Sequence, residues 1–187
     1  MGLLGRPRLL HQPAIHILTG PRGSGKSSVC EQVARQAREA GRIVCGFVSR
    51  AVTDDTGRRV GYDALDLTTG MLRQLAVESA VHRGLRTGRF AFNRRTIRRC
   101  ARSAVSAVRA GADLLILDEI GPLELRQRQG FHRLLLSLRT HAPPNTIAVV
   151  RPELVEVFCE RSGLNGFAVS VVRMETIEAT ARVLLSR

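Results

Sequence analysis

Residues 20–27 read Gly20-Pro21-Arg22-Gly23-Ser24-Gly25-Lys26-Ser27, which fits the pattern G-x-x-x-x-G-K-[ST]. Glycines at these spacings let backbone N–H groups curl around an anion without Cβ clashes. A helix that starts here points its positive end at the same anion. Lys26 can then reach the β- and γ-phosphates of a nucleotide, and the Ser27 hydroxyl can ligate Mg²⁺. Glycine averages about 7% of residues, so four fixed positions rarely recur by chance. The flanks agree with this reading. A β-rich run precedes the loop at 15–18. After it, 26–40 reads as helix, with Val29, Val33 and Ala37 four residues apart and Gly41 as its stop. The loop from Gly20 to Ser27, with Ser28 beside it, is the candidate nucleotide-binding segment.

A second motif lies downstream. Leu114-Leu115-Ile116-Leu117-Asp118-Glu119 is an apolar run that ends in two carboxylates. A continuous apolar run suits a strand buried on both faces of a parallel sheet. Such a strand is expected beside the phosphate-loop strand, delivering Asp118 to the Mg²⁺ shell. Glu119, one residue on, can polarise a water for attack on the γ-phosphate. The candidate catalytic residues are Glu119 and Lys26, and the candidate metal ligands are Ser27 and Asp118. The second carboxylate favours hydrolysis over transfer to an acceptor. A guanine-reading N-K-x-D element is excluded, because Lys26 is the only lysine.

Between and beyond these motifs, strand and helix patterns alternate. Residues 43–49 read as a strand. The runs 59–66 and 71–77 read as a hairpin or meander between turns at 54–57 and 68–70. Asn93 can cap a helix over 93–110, with Ile97, Ala101, Ala104, Val105 and Val108 as its apolar stripe. A helix is expected over 123–139, ended by Pro143 and Pro144. A strand at 146–150, a helix at 153–160, a strand at 167–172 and a helix at 177–185 follow. The alternation implies an α/β fold with a central, mostly parallel sheet, flanking helices and a β-hairpin insert. At 187 residues with 44% hydrophobic content, one domain over 1–187 is the expectation.

The formal net charge is +13, and 28 of the 29 basic residues are arginine. That skew looks like a codon preference and not a selected patch. Arg94, Arg95, Arg98, Arg99 and Arg102 are accordingly read as a solvated helix face, and a nucleic-acid partner is not favoured. Aromatic content of 4% with no Trp leaves few stacking platforms. Cys30, Cys45, Cys100 and Cys159 form no C-x-x-C pair and read as thiols of a reducing compartment. No apolar run is long enough to span a bilayer, and 1–12 does not read as a signal peptide. The expectation is a cytoplasmic protein without a membrane partner, a monomer in preference to an oligomer. Arg89 and Arg151 are candidates for stabilising charge on a transferring phosphoryl group. Arg22 is expected to face solvent, His16 to be structural, and Glu124 to be a helix-start carboxylate.

A family resemblance rests on several segments in order. They are the loop Gly20 to Ser27; Gly46-Phe47-Val48-Ser49; Arg59-Val60-Gly61-Tyr62-Asp63 with Leu65-Asp66-Leu67 and Thr69-Gly70; and Leu117-Asp118-Glu119-Ile120-Gly121-Pro122-Leu123-Glu124-Leu125. Over roughly residues 13–175 the chain resembles the small standalone nucleoside-triphosphatases of bacteria and archaea, whose relatives include a human cancer-related nucleoside-triphosphatase. The resemblance implies a RecA-like P-loop fold with a hairpin insert, and a nucleotide site lined by the loop together with Leu117, Asp118, Glu119, Ile120 and Gly121. It also implies slow Mg²⁺-dependent hydrolysis of ATP, GTP and other nucleoside triphosphates, with little base preference. Two positions depart from the family pattern. Val150 stands before Arg151 where a histidine is common, and Thr87-Gly88-Arg89-Phe90 only approximates V-G-[RK]-Y. Two alternatives stay open. One is a small-molecule or nucleotide kinase whose acceptor site lies in the insert or in 77–92. The other is a nucleotide-switched nucleic-acid-binding module.

Overall fold

In the computed structural model, which describes residues 12–80, 84–162 and 166–186, the phosphate loop joins strand β1 (Ala14–Thr19) to helix α1 (Lys26–Glu39). The reading of residues 1–11 as no signal peptide lies outside the described residues. Strands β2 (Val44–Thr53), β3 (Arg59–Asp66), β4 (Leu72–Glu78), β5 (Arg86–Thr87) and β6 (Phe90–Phe92) follow in turn. Helix α2 (Arg94–Arg109) leads to β7 (Leu114–Ile120), then to short helices α3 (Pro122–Leu125) and α4 (His132–Ser137). Strand β8 (Asn145–Val150), helix α5 (Val155–Arg161), strand β9 (Ala168–Arg173) and helix α6 (Ile177–Leu185) complete the described chain.

All nine strands join one sheet in the order β5-β6-β4-β3-β2-β7-β8-β1-β9. From β2 to β9 neighbours are parallel, and from β2 to β5 they are antiparallel. The inner parallel strands bury both faces by strict alternation, while the edge strand β9 leaves Val169 and Val171 exposed. Ile15, Ile17, Leu115, Leu117, Ala148 and Val150 join one core, under α2, α4 and α5. Leu18, Leu114, Ile116, Ile147 and Val149 join the other, under α1 and α6. This is the two-sided burial that a continuous apolar run requires. No helix among the described residues is long and apolar enough to cross a membrane.

The structure corrects two expectations and completes a third. Strand β7 does not lie beside β1; β8 stands between them and pairs with both. A sheet neighbour is chosen by the crossover path and not by chain order, so the run itself carried no sign of this. The hairpin expected over 59–66 and 71–77 is present as β3 and β4, and what the reading lacked is β5 and β6, which extend it into an antiparallel wing. These two strands are too short for a period-2 pattern to show.

The second correction is the helix expected over 123–139, which is broken into α3 and α4. Arg128 and Gly130 adopt φ of 55° and 60°. The buried Glu124 carboxylate accepts from Gly121 N at 3.0 Å and from Phe131 N at 3.1 Å, which holds the break closed. A Cβ at Gly130 would stand 2.1 Å from Glu124 Oε1, so both the turn and the close approach demand glycine there. The apolar periodicity of 123–139 belongs to two separate helices that share one core.

Helix α2 begins where its sequence places it. The Asn93 side chain accepts from Arg95 N at 3.0 Å and Thr96 N at 3.2 Å. Its buried stripe is Thr96, Ile97, Cys100, Ala104 and Val108, while Ala101 and Val105 are only half-buried. Those two residues face a groove between α2 and α4.

Candidate active site

The site is built at the C-terminal ends of the parallel strands, where β1 hands the chain to the loop. Gly25 stands before α1 at φ 90°, a left-handed turn that a side chain would strain. The loop amides and the N-terminus of a 14-residue helix then face one cleft. Lys26 Nζ donates to Gly20 O at 2.9 Å, Pro21 O at 2.6 Å and Ser24 Oγ at 3.4 Å. These contacts keep the ammonium over the mouth of the loop. Partial burial pulls its pKa down, and the nearby Asp118 and Glu119 carboxylates oppose that shift.

Asp118 and Glu119 are adjacent in β7, so a regular strand would send them to opposite faces. The structure turns both into the same cleft. The register between β7 and β8 shifts between Leu117 and Ile120, and Glu119 has φ 58°. A left-handed non-glycine residue costs on the order of 1–3 kcal/mol and persists only where its surroundings hold it. Bulges of this kind re-aim side chains beside active sites.

Asp118 is 1% exposed. Its Oδ2 accepts from Ser49 N at 2.9 Å, while the buried Oδ1 has no hydrogen-bond partner among the described residues. Burial first, then Glu119, push its carboxyl up to about 7; the Ser27 hydroxyl and the Ser49 amide oppose that. Glu119 is exposed, with its carboxyl set in the cleft and partly desolvated there. That partial desolvation raises its carboxyl above the usual range, against Arg151, then Arg59, Arg22 and Lys26.

The cleft has a volume of about 430 Å³. It brings together Arg22, Lys26, Ser27 and Ser28 of the loop with Asp118 and Glu119. Gly23 and Gly25 line it as well. The loop residues Gly20, Pro21 and Ser24 serve through their contacts with Lys26. Leu117 and Ile120 are fully buried in the core and act as supports for the strand end. Gly121 lines a smaller cavity of about 50 Å³ behind the carboxylates.

Of the two arginine candidates, the structure puts Arg151 in the cleft and Arg89 outside it. Arg89 donates to Arg59 O at 2.7 Å and lies 3.6 Å from Glu78. Arg22, expected to face solvent, is exposed but lines the cleft. His16 is buried and bonded to Ser170 Oγ at 2.8 Å. Sequence reasoning gave no role to Ser49, or to Arg59 and Tyr62, which also line the cleft. Arg59 Nη1 donates to Tyr62 Oη at 3.1 Å, and its guanidinium lies 5.3 Å from that ring. Both sit on β3, so only the antiparallel pairing of β3 with β2 brings them in.

Comparison with known proteins identifies the family. The family model described as NTPase matches residues 15–180. The nucleoside-triphosphatase THEP1 of Methanopyrus kandleri is 32% identical over 171 residues, covering 90% of this chain and 92% of that protein. The THEP1 protein of Archaeoglobus fulgidus is 30% identical over 167 residues, covering 84% and 96%. In fold, the chain resembles THEP1 from Aquifex aeolicus, with a TM-score of 0.68, 21% identity and coverage of 92% and 97%. It resembles a human cancer-related nucleoside triphosphatase with a TM-score of 0.64, 23% identity and coverage of 93% and 96%. A phosphate loop on β1, two carboxylates turned into its cleft and a family match over most of the length agree: the chain belongs to the NTPase family and is a nucleoside-triphosphatase.

Proposed function

We propose that this enzyme hydrolyses nucleoside 5'-triphosphates to diphosphates and phosphate, with Mg²⁺ and with broad base preference. The observation that carries the reading is the bulge in β7, which aims Asp118 and Glu119 together at the phosphate loop. The loop amides, Lys26 and the α1 N-terminus bind the β- and γ-phosphates. Arg22, Arg59 and Arg151 face the same cleft and meet charge that builds on the γ-phosphoryl oxygens. Glu119 orients a water and accepts its proton as the water attacks. Its raised pKa brings it nearer to the operating pH, which suits a general base.

The residues fit a hard cation. Asp118 Oδ1 is a buried oxygen without a partner among the described residues, and the Ser27 hydroxyl lies against this carboxylate. Ser27 and Asp118 would hold Mg²⁺, which when bound neutralises phosphate charge. No Asn or Gln side chain lines the described cleft, which supports a weak preference among bases. The four free thiols, three of them buried, suit a reducing cytoplasm.

The test is phosphate release from ATP, GTP, CTP and UTP by wild type and Glu119→Gln, with and without candidate acceptors. Wild type should release phosphate from all four at similar rates, with or without acceptor. Glu119→Gln should lower kcat by about 10²–10⁴-fold with little change in KM. Unchanged turnover in that variant sinks the base assignment. Phosphate that moves only to an added acceptor makes the enzyme a kinase.

A further inference from the structure

Arginine bias explains why this chain carries Arg in place of Lys. It does not explain where the carboxylates are missing. Residues 79–112 and 125–152 contain no Asp or Glu, although the chain has 16 elsewhere. Those two segments supply nine and five arginines. The fold packs them against each other, because α2 lies beside α4. The result is a groove of two adjoining cavities, about 740 and 390 Å³, that share Arg98 and Arg133.

Arg94, Arg98, Arg102 and Arg109 reach the groove from α2, Arg133 from α4 and Arg128 from the α3–α4 break. All six are exposed, and none forms an ion pair among the described residues. Elsewhere some arginines pair with acids, as in Arg35–Glu39 at 3.0 Å and Arg50–Glu31 at 2.7 Å. Six unscreened cations on one face repel one another, and an evenly charged polyanion relieves that repulsion.

We propose that this groove binds the phosphodiester backbone of double-stranded nucleic acid without regard to sequence. Length supports a regular polymer as the occupant. Arg94 and Arg109 are 15 residues apart on one helix, which places them about 22 Å apart along its axis. A strand of a duplex offers a phosphate about every 3.4 Å, hence roughly six over that length. No Phe, Tyr or Trp side chain lines either cavity and His132 is the one ring among the lining residues, so base stacking on a single strand has little platform. The same lack removes Trp and Tyr, two of the three residue types that dominate protein–protein hot spots, and leaves arginine alone. RNA and DNA share the recognised backbone.

The test measures anisotropy of labelled 20-base-pair DNA and RNA duplexes across a salt series. Wild type should bind with a slope of log K against log salt of about −4 to −5, from about five neutralised phosphates. Arg98→Glu with Arg102→Glu should lower affinity at least about 100-fold and flatten the slope by about 2. Phosphate release by that variant should stay at the wild-type rate, since neither residue lies in the cleft. The control is Arg35→Glu with Arg182→Glu on the α1–α6 face, a reversal of equal charge. If the control weakens binding as much as the groove variant, net charge alone is responsible and the groove has no part. Absence of duplex binding at low salt, or equal affinity for phosphatidylserine vesicles, also overturns the proposal.

Discussion

The nucleotide cleft and the α2–α4 groove are both lined by arginine, yet they differ in what faces the cations. In the cleft, Arg22, Arg59 and Arg151 surround Glu119, with Asp118 behind it. In the groove, six arginines face solvent with no carboxylate among the lining residues. On the proposed function, the first arrangement would balance charge around a small polyphosphate and keep a carboxylate base among the cations. The second offers only attraction, spread along a helix. Chemistry needs mixed charge at short range, whereas retention of a long polymer needs one sign over distance. The difference teaches that a count of basic residues says little until their neighbours are known.

The largest effect expected is at the cleft. Lys26→Ala should reduce phosphate release to background, because the loop then lacks the ammonium held over its mouth by Gly20 O and Pro21 O. Duplex binding by the same variant should be unchanged. A loss of both would show that the two sites are one surface.

Arg151→Ala comes next. It removes the cation nearest in influence to Glu119 and should lower kcat by about 10²-fold, within the range seen when a group stabilising transition-state charge is removed. Arg89→Ala, outside the cleft, should leave kcat within about twofold if Arg151 and not Arg89 serves the phosphoryl group. Single-turnover rates on both variants decide between them.

The smallest effect concerns Glu124, which joins the two regions by holding Gly121 on one side and Phe131 on the other. Burial pushes its carboxyl up to about 7 from an ordinary 4.5. Between those values the folded protein binds more protons than the unfolded chain. Stability therefore falls as pH rises through that window, by on the order of 3 kcal/mol from this group. Glu124→Gln should flatten the fall, measured by denaturant unfolding at pH 5 and pH 8. Asp118 and Glu119 have raised carboxyls of the same sign and should keep part of it. An unchanged slope in the variant would show that Glu124 is ionised at no cost in the fold.

Much of the site was legible before the fold was known, and the reason is local geometry. A phosphate loop is a run of consecutive residues whose backbone does the binding, so its spacing is its function. Asn93 was legible as a cap for the same reason, since its partners are two and three residues away. Arg59, Tyr62 and Ser49 had no such local mark. Each enters the cleft through strand pairing, and Ser49 acts only through a backbone amide on Asp118, 69 residues on.

Composition and periodicity alone settled that the chain folds as α/β, that Lys26 is singled out, and that Asp118-Glu119 ends a buried strand. Those properties follow from hydrogen bonding and burial over a few neighbouring residues. Three-dimensional packing decided that β8 separates β7 from β1, that a bulge turns both carboxylates into one cleft, and that Glu124 breaks a helix. It also placed two acid-free segments, separated in the chain by residues 113–124, against each other through α2 and α4. Electrostatic fields sum over distance in space and not over position in sequence, so a run of arginines acquires meaning only when the fold shows what lies opposite it.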